Sequence, residues 1–356
     1  MRQRPPACGG LDESTRRVVS GTHLMYSGVE CLGRGFSRQL RKGRAITMVA
    51  ERRFRFGTGG FYAPSATEYA ALARKVEDLG YATLLLPDHF NDQLAPFPAL
   101  IAAANATRTL RVGSFVFDND YRHPTVLAKE AATVDLLTDG RLELGIGAGY
   151  FGRDYAETGI AFDPAGVRVS RLIEAVAVIK GLFGPAPLTF DGDFYTVAEL
   201  DGFPKPVQQP HPPILIAGGG QRMLSFAARE ADIIGLIMKS RDGSLDLSDG
   251  SAEATAERVE WIRHAAGERF SEIELNVLVL DVAITDRREE GAEQIGRKWG
   301  ISPDQVLDSV HFLVGTTDQI ADQLEGWREE LHISYVAVMP EFMDSFAPVV
   351  ARLAGR

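Results

Sequence analysis

The sequence predicts a (β/α)8 barrel, and two observations indicate it. First, from Arg53 onward short apolar runs alternate with longer amphipathic segments, the order typical of strand–helix units around a parallel sheet. Second, eight strand-like runs occur, which suits a closed barrel better than an open doubly wound sheet. We therefore expect one barrel domain over residues 48–356.

The predicted elements follow one another along the chain. The run 83–86, Thr-Leu-Leu-Leu, is apolar enough for a parallel strand buried on both faces. Segment 67–79 is amphipathic and is followed by Gly80, the residue type that most often ends a helix. The predicted barrel strands are 54–56, 83–86, 110–117, 141–146, 214–217, 232–237, 273–280 and 334–338. The predicted helical segments are 67–79, 97–106, 124–138, 168–183, 221–230, 252–266, 287–309 and 317–331.

Residues 185–210 interrupt this alternation. Within them, two strand-like runs flank the dipeptide Asp191-Gly192, and Asp-Gly between such runs is a strong indication of a β-hairpin. We therefore expect a hairpin-containing insertion, over about 185–210, before the fifth barrel strand.

Composition excludes several classes of protein. The chain has 356 residues, 45% of them hydrophobic and 24% charged, and a formal net charge of −10. This mixture excludes disordered, coiled-coil and collagen-like chains, and the acidic balance argues against nucleic-acid binding. No apolar stretch approaches the roughly 18 residues of a membrane span. We therefore expect neither a nucleic-acid nor a membrane partner.

The first 47 residues differ from the rest of the chain. They carry nine Lys or Arg against three Asp or Glu, so their net charge is +6 and that of the remainder is −16. They also contain both cysteines, Cys8 and Cys31, which excludes disulfides, thiolate catalysis and cysteine-bound metals in the body. We expect no metal site and a cytoplasmic location. Without periodicity or a secretory apolar stretch, residues 1–47 are interpreted as a disordered or non-native extension, with a short ordered arm as the alternative.

The ends of the predicted strands supply the candidate site residues, because barrel active sites lie at the carboxyl ends of the strands. Asp88 and His89 follow the second strand, where an imidazole can exchange protons near neutral pH. The alternative is a solvated loop histidine beside an N-capping aspartate. The polar loop after the third strand is interpreted, for the most part, as an ordinary connection.

Two glycine-rich turns follow the fourth and fifth strands. Gly147, Gly149 and Gly152 satisfy G-x-G-x-x-G, a spacing that lets backbone approach a ligand closely. However, this motif does not open the first βαβ unit, and we expect a loop rather than a helix directly after it. The motif leaves open a methyltransferase or an NAD-dependent dehydrogenase built on an open sheet.

The turn after the fifth strand predicts a phosphate site. Three consecutive glycines after Ala217, namely Gly218, Gly219 and Gly220, lead directly into a helix. Free N–H groups and the positive end of the helix dipole favour an anion there. The alternative is a flexible turn, but three glycines in succession are entropically costly.

Together these residues resemble the luciferase-like monooxygenase superfamily. The resemblance covers about 53–340 and rests on the order and spacing of phrases at 86–90, 132–141, 145–149, 213–220 and 227–232. Within the superfamily, the sequence is most similar to the actinobacterial branch that uses 8-hydroxy-5-deazaflavin, coenzyme F420. The resemblance implies a barrel that holds a tricyclic ring at its mouth, with FMN as the alternative cofactor.

The resemblance also implies residue roles. His89 would transfer a proton, Asp88 would lie beside the ring, and a non-prolyl cis peptide would fall at or near Ser114–Phe115. The phosphate would bind at the glycines after the fifth strand. The expected cofactor-binding residues are Asp88, Ser114, Phe115, Gly147, Gly149, Tyr150, Ala217, Gly218, Gly219 and Gly220.

One departure from the family pattern concerns the substrate. Sugar-phosphate dehydrogenases of this group have a glutamate directly after the fourth-strand glycines, where this sequence has Tyr150. That substrate is therefore not assigned, and Tyr150 is expected to line the pocket, with proton donation as the alternative. Lys239 and Arg241 could meet an acidic substrate, although a solvated loop is the preferred interpretation.

The expected function is oxidoreduction, with a hydride moving between coenzyme F420 and a small organic substrate. The alternatives are an FMN-dependent monooxygenase that uses O2, and a non-catalytic flavin-binding barrel. The expected partners are a small-molecule substrate, a separate cofactor reductase and, in a homodimer, a second copy of the chain.

Overall fold

The computed structural model describes residues 52–356, so the expectations for residues 1–47 lie outside the described range. Eight parallel strands form a barrel, and each strand is followed by at least one helix. The barrel strands, labelled β1 to β8, are Arg55–Gly59, Thr83–Leu86, Arg111–Ser114, Leu142–Gly147, Ile214–Gly218, Ile233–Leu236, Glu274–Val279 and Ile333–Val338.

Parallel pairing closes these strands into a complete ring. Strand β8 returns to pair with β1, and β3 pairs with β4. The β3–β4 pairing covers two residues of each strand, and the short strand Phe117–Asp118 then continues the pairing with β4. The predicted (β/α)8 barrel is confirmed, and all eight strands point their carboxyl ends towards the same face.

Helices surround the barrel, and several begin at capping residues visible in the sequence. The Ser65 hydroxyl accepts a hydrogen bond from the Glu68 N–H at 3.2 Å, and Gly80 follows α1 with φ of +85°, a conformation that favours glycine. The helices, labelled α1 to α11, are Ala66–Asp78, Pro96–Ala106, Pro124–Leu137, Gly152–Thr158, Ala165–Phe183, Gln221–Glu230, Ala252–Ala266, Arg288–Trp299, Pro303–Asp308, Thr317–Leu331 and Met343–Leu353. No helix within 52–356 is long and apolar enough to cross a membrane.

The predicted insertion is present. Strands Leu188–Asp191 and Thr196–Leu200 pair antiparallel and precede β5. The Glu174 carboxylate of α5 accepts hydrogen bonds from the N–H groups of Asp193 and Phe194, each at 2.9 Å. The hairpin is therefore fixed to the outer helix layer by its turn.

Two predictions around the third and fourth strands were wrong. The predicted strand 110–117 ends at Ser114, and a second short strand begins only at Phe117. The predicted loop after the β4 glycines is instead the helix α4, which starts directly at Gly152. Its N-cap residue, Phe151, makes no side-chain hydrogen bond, so the sequence carries no capping signal there.

The prediction also lacked three smaller elements. A parallel pair, Asp281–Ile284 with Phe312–Gly315, lies outside the main barrel sheet. A short hairpin joins Ser240–Arg241 to Ser244–Leu245, and α11 follows β8. The predicted segment 287–309 is divided between α8 and α9.

The amino-terminal end of the barrel interior is filled by a buried ion-pair network. Glu143 on β4 is 2% exposed, and its Oε1 accepts from Arg55 on β1 at 2.5 Å and from Arg111 on β3 at 2.7 Å. The Arg55 guanidinium lies 3.7 Å above the Tyr335 ring of β8 and pairs with Glu274 of β7 at 2.6 Å. Burial opposes ionisation of Glu143, but the two arginines outweigh it and hold its pKa below the usual range.

We predict that Glu143→Ala destabilises the protein by about 3–5 kcal/mol, because it leaves two guanidinium groups at the barrel end without their shared carboxylate. Chemical denaturation monitored by circular dichroism measures this loss. The control is Glu157→Ala, which removes an exposed ion pair with Arg153 and should cost less than about 1 kcal/mol. Equal losses in the two variants would contradict a special role for the buried network.

Candidate active site

A cavity of about 660 Å³ opens at the carboxyl ends of the barrel strands. Its walls come from the carboxyl ends of the barrel strands other than β3, from the loop after β3, and from the first turns of α5 and α6. The predicted site residues that line it are Asp88, His89, Phe115, Gly147, Gly149, Tyr150, Ala217, Gly218, Gly219 and Gly220. The structure therefore brings together residues that are up to 132 positions apart in the chain.

The imidazole of His89 is paired with a carboxylate that the sequence analysis did not identify. Its Nδ1 lies 2.6 Å from Oδ2 of Asp154, a residue of α4 that is 2% exposed. The Tyr121 hydroxyl donates to the same oxygen at 3.4 Å. Because a carboxylate only accepts hydrogen bonds, Asp154 fixes the imidazole with its proton on Nδ1. Nε2 is then the ring nitrogen that can exchange a proton with a ligand.

Asp88 has a different partner. Both of its oxygens bind the Arg122 guanidinium, and Oδ2 also accepts from the Asp118 N–H at 3.2 Å. Although Asp88 is adjacent to His89 in sequence, its charge is neutralised by Arg122. Such a bidentate pair fixes the loop between β3 and α3 against the end of β2.

Ser114 is the one predicted site residue that does not line the cavity. Its buried hydroxyl donates to the Gly145 carbonyl at 2.7 Å and accepts from the Gly145 N–H at 2.9 Å. Ser114 therefore joins β3 to β4 instead of facing a ligand. The non-prolyl cis peptide lies one bond further on, between Phe115 and Val116, and both of these residues line the cavity.

The glycines after β4 allow close packing at the cavity wall. A Cβ on Gly147 would lie 2.7 Å from the Val116 side chain, and one on Gly149 would lie 1.9 Å from the Tyr155 hydroxyl. Gly149 also has φ of +74°, which strains other residues. The G-x-G spacing therefore brings the β4 turn against the β3 loop and against α4.

A second buried carboxylate, Asp118, lies on the cavity wall. The Tyr155 hydroxyl donates to its Oδ2 at 2.8 Å, and the Asp120 N–H donates to its Oδ1 at 2.9 Å. Burial raises the pKa of Asp118 to about 6, with the negative charges of Asp120 and Asp88 adding to the effect and the two hydrogen bonds opposing it. Sequence reasoning missed this residue because the loop after the third strand looked like an ordinary connection.

Aromatic side chains surround His89. The Tyr150 ring lies 6.3 Å and the Phe151 ring 5.3 Å from the imidazole, both edge-on. Burial, with the nearby charge of Asp154, raises the pKa of Tyr150. Its phenol therefore stays protonated at neutral pH and can donate a hydrogen bond into the cavity.

The turn after β5 has the features of an anion site. Helix α6 begins at Gln221 without a side-chain cap, and a Cβ on Gly220 would have no atom within 4 Å. Gly219, in contrast, packs on the backbone after β6, where a Cβ would lie 2.5 Å from the Ile237 carbonyl oxygen. Nε of the buried Arg258 donates to the Gly219 carbonyl at 3.2 Å. The turn is therefore rigidly supported, with Gly220 open on the cavity side.

These features can bind an anion at one end of the cavity and exchange a proton at His89. Apolar side chains, including Leu85, Val116 and Leu278, provide much of the remaining wall. Within residues 52–356 there is no group of three or more histidine, cysteine or acidic side chains arranged to hold a metal ion. The fold and site thus define a barrel with a ligand-binding cavity at its carboxyl face.

Comparison with known proteins assigns the family. The profile of the luciferase-like monooxygenase family matches residues 47–302, so the chain belongs to this family, as the sequence resemblance predicted. An F420-dependent glucose-6-phosphate dehydrogenase from Kribbella flavida is 30% identical over 284 residues, which cover 76% of this chain and 78% of the relative.

Two further comparisons are informative. The oxygenase component of a flavin-dependent trigonelline monooxygenase from Acinetobacter baylyi is 33% identical over 141 residues, 39% of each chain. The solved structure of the coenzyme F420-dependent tetrahydromethanopterin reductase from Methanopyrus kandleri superimposes with a TM-score of 0.68 at 17% identity, over 85% of this chain and 99% of that one. This structural match supports the fold.

We predict that Asp118→Asn changes how stability depends on pH. The pKa of Asp118 is about 6 in the folded protein, and that of an unfolded aspartate is about 3.9. Between about pH 4 and pH 6, Asp118 therefore keeps a proton in the folded protein that it has lost in the unfolded chain. Wild-type stability should therefore fall relative to Asp118→Asn as the pH rises from about 4 to about 7, by about 2–3 kcal/mol in total.

Melting temperatures of both proteins across this pH range measure the difference. Asp201→Asn, at an exposed carboxylate paired with Lys205, serves as the control and should follow the wild type throughout. A constant gap between wild type and Asp118→Asn would show that Asp118 titrates normally.

Proposed function

We propose that this protein is an oxidoreductase that binds coenzyme F420 in the cavity and acts on a small organic substrate. The observation that carries the proposal is the His89–Asp154 pair, set in a largely apolar cavity that also contains an uncapped helix N-terminus. The F420-dependent relative from Kribbella flavida, matched over most of its length, supports this cofactor.

The residues present fit such a cofactor. Apolar side chains and glycines at the ends of β2, β4 and β7 and in the loop after β3 supply apolar wall against which a planar ring can pack. The open Cβ position at Gly220 and the free N–H groups of the α6 N-terminus suit a phosphate. We assign the ring to the wall formed by Phe115, Val116 and Gly147, and the phosphate to Gly218, Gly219 and Gly220.

The side chains of this protein position the reactants and move a proton. When bound, the cofactor supplies or accepts the hydride. His89 exchanges the accompanying proton through Nε2, while Asp154 holds Nδ1 and stabilises the charged imidazole. Asp88, neutralised by Arg122, orders the loop beside His89. The aromatic rings around the imidazole limit access of water.

The second candidate is a flavin-dependent monooxygenase of the same fold. The trigonelline monooxygenase relative favours it, and the cavity geometry suits either tricyclic ring. Titration of the purified protein with F420 and with FMN decides between them, since the proposed function requires tighter binding of F420. A separate cofactor reductase and a homodimer stay predictions of the sequence.

We predict that Gly220→Asp abolishes F420 binding without unfolding the protein. The new side chain has space, and aspartate is a favourable N-cap, but its carboxylate repels the cofactor phosphate. Fluorescence titration should show at least a hundredfold weaker binding.

Gly220→Ser is the matched control, because it adds a neutral capping side chain at the same position. It should bind F420 much more tightly than Gly220→Asp. Retained wild-type affinity in Gly220→Asp, at an unchanged melting temperature, would place the phosphate elsewhere.

We predict that His89→Ala lowers the turnover rate by ~10²–10⁴, the range expected for loss of a general acid or base. Cofactor affinity should change much less, since other strands contact the cofactor. Oxidation of reduced F420 by an activated enone, followed by absorbance at several pH values, provides the assay.

Asp154→Asn tests the orientation of the imidazole. This change keeps the size of the side chain but can select the wrong tautomer, so turnover should fall by less than in His89→Ala while F420 affinity persists. A well-folded His89→Ala protein with the wild-type rate and pH profile would exclude His89 from proton transfer.

A further inference from the structure

One arginine on the cavity wall has no charged or hydrogen-bonding partner among residues 52–356. Arg168 lies near the start of α5, lines the cavity and is only 4% exposed. Its Nε and Nη1 atoms are buried and make no hydrogen bond. A buried guanidinium is normally paired, because removing its charge from water without compensation is costly.

The other cationic side chains at the cavity contrast with Arg168. Arg222 donates to the Gly166 carbonyl and to the Ser170 hydroxyl, each at 2.8 Å. Lys239 Nζ lies 3.5 Å from Oδ1 of Asp249. Three lysine or arginine side chains line the cavity in the described part of the chain, and of these Arg168 is the one without a hydrogen-bonding or charged partner.

The surroundings of Arg168 favour an anion. Its guanidinium carbon lies 4.1 Å from the centre of the Phe162 ring, a contact that orients the group but leaves its N–H donors unused. The N-cap residue of α5, Pro164, provides no side-chain hydrogen bond, and the next two residues, Ala165 and Gly166, line the cavity. The positive end of a 19-residue helix thus adds to the charge of Arg168.

This feature is separate from the glycine turn after β5. The side of α5 that faces α6 is marked by Gly166 and Ser170, which accept hydrogen bonds from Arg222 of α6. Arg168 follows Gly166 by two residues and so lies about 200° around the helix from it. Its side chain is directed towards Phe162 and Tyr155.

We infer that Arg168 and the amino terminus of α5 form a second oxyanion site, which binds a carboxylate or phosphate group of a molecule held in the cavity. The guanidinium can donate a charge-assisted hydrogen bond to such a group. Assigning the oxyanion to one of the reactants rests on the proposed function, whereas binding of the oxyanion itself does not.

Calorimetric titration with inorganic phosphate tests the site. The titration uses the full-length protein carrying Gly220→Asp, so that the glycine turn does not contribute. We expect Arg168→Met to weaken phosphate binding at least tenfold in this background. Arg153→Met, which removes an exposed arginine paired with Glu157, is the matched control and should leave binding unchanged. Equal phosphate affinity with and without Arg168→Met would overturn the inference.

Thermal stability separates a binding role from a structural one. Methionine is apolar and of similar length, so Arg168→Met should keep or raise the melting temperature by removing an unpaired buried charge. A clear fall in melting temperature would indicate that Arg168 supports the fold and would count against the inference. Arg168→Lys keeps the charge but loses the planar fork, so its phosphate affinity should lie between those of arginine and methionine.

Two ligands identify the source of the oxyanion. F420 and its deazaflavin chromophore without the phosphate are titrated against wild type and Arg168→Met. Equal effects of the variant on both ligands, together with lost phosphate binding, assign the oxyanion to the substrate. A selective loss of F420 affinity assigns it to an anionic group of the cofactor, which the chromophore lacks. If wild type binds neither ligand, the proposed cofactor is wrong, and the phosphate titration still decides the role of Arg168.

Discussion

The packing of the barrel depends on the carboxylate of Glu143, which is buried at the amino-terminal end of the barrel. Glu143 lies between Arg55 and Arg111, and through Arg55 the network reaches Tyr335 and Glu274. Strands β1, β3, β4, β7 and β8 therefore meet in one ion-pair cluster. Because breaking such a buried cluster is strongly destabilising, it holds β3 and β4 together where their direct pairing is only two residues long. It also fills this end of the interior, so that the cavity lies at the carboxyl end.

The close contact between β3 and β4 then determines the shape of the site. Ser114 and Gly145 exchange hydrogen bonds, and the glycines after β4 leave no side chain to separate the strand ends. As a result, α4 starts directly after the β4 turn and brings Asp154 to His89 of the β2 loop. The His89–Asp154 pair is thus a consequence of barrel packing, not of any local motif around His89.

This dependence explains which parts of the site could be predicted. Periodicity and turn chemistry identified the eight strands, the hairpin and Gly80, because these signals act over a few residues. Asp154 could not be found in the same way: 65 residues separate it from His89, and α4 lacks a capping residue. Ser114 was assigned to the cofactor from the resemblance to the family, but its hydroxyl is hydrogen-bonded to the backbone of Gly145. Arg168 carries no local signal, since its lack of a partner is a property of the folded cavity.

Three aspartates lie close together at the carboxyl face, and their partners give them different properties. Asp88 is neutralised by a guanidinium that stays charged at any physiological pH. Asp118 is hydrogen-bonded by a phenol and a backbone N–H, and burial raises its pKa to about 6. Asp154 is paired with an imidazole, the side chain whose charge changes most readily near neutral pH. The choice of partner, not the number of carboxylates, therefore gives each aspartate its own property: Asp88 is held in an ion pair, Asp118 has a raised pKa, and Asp154 orients the imidazole of His89.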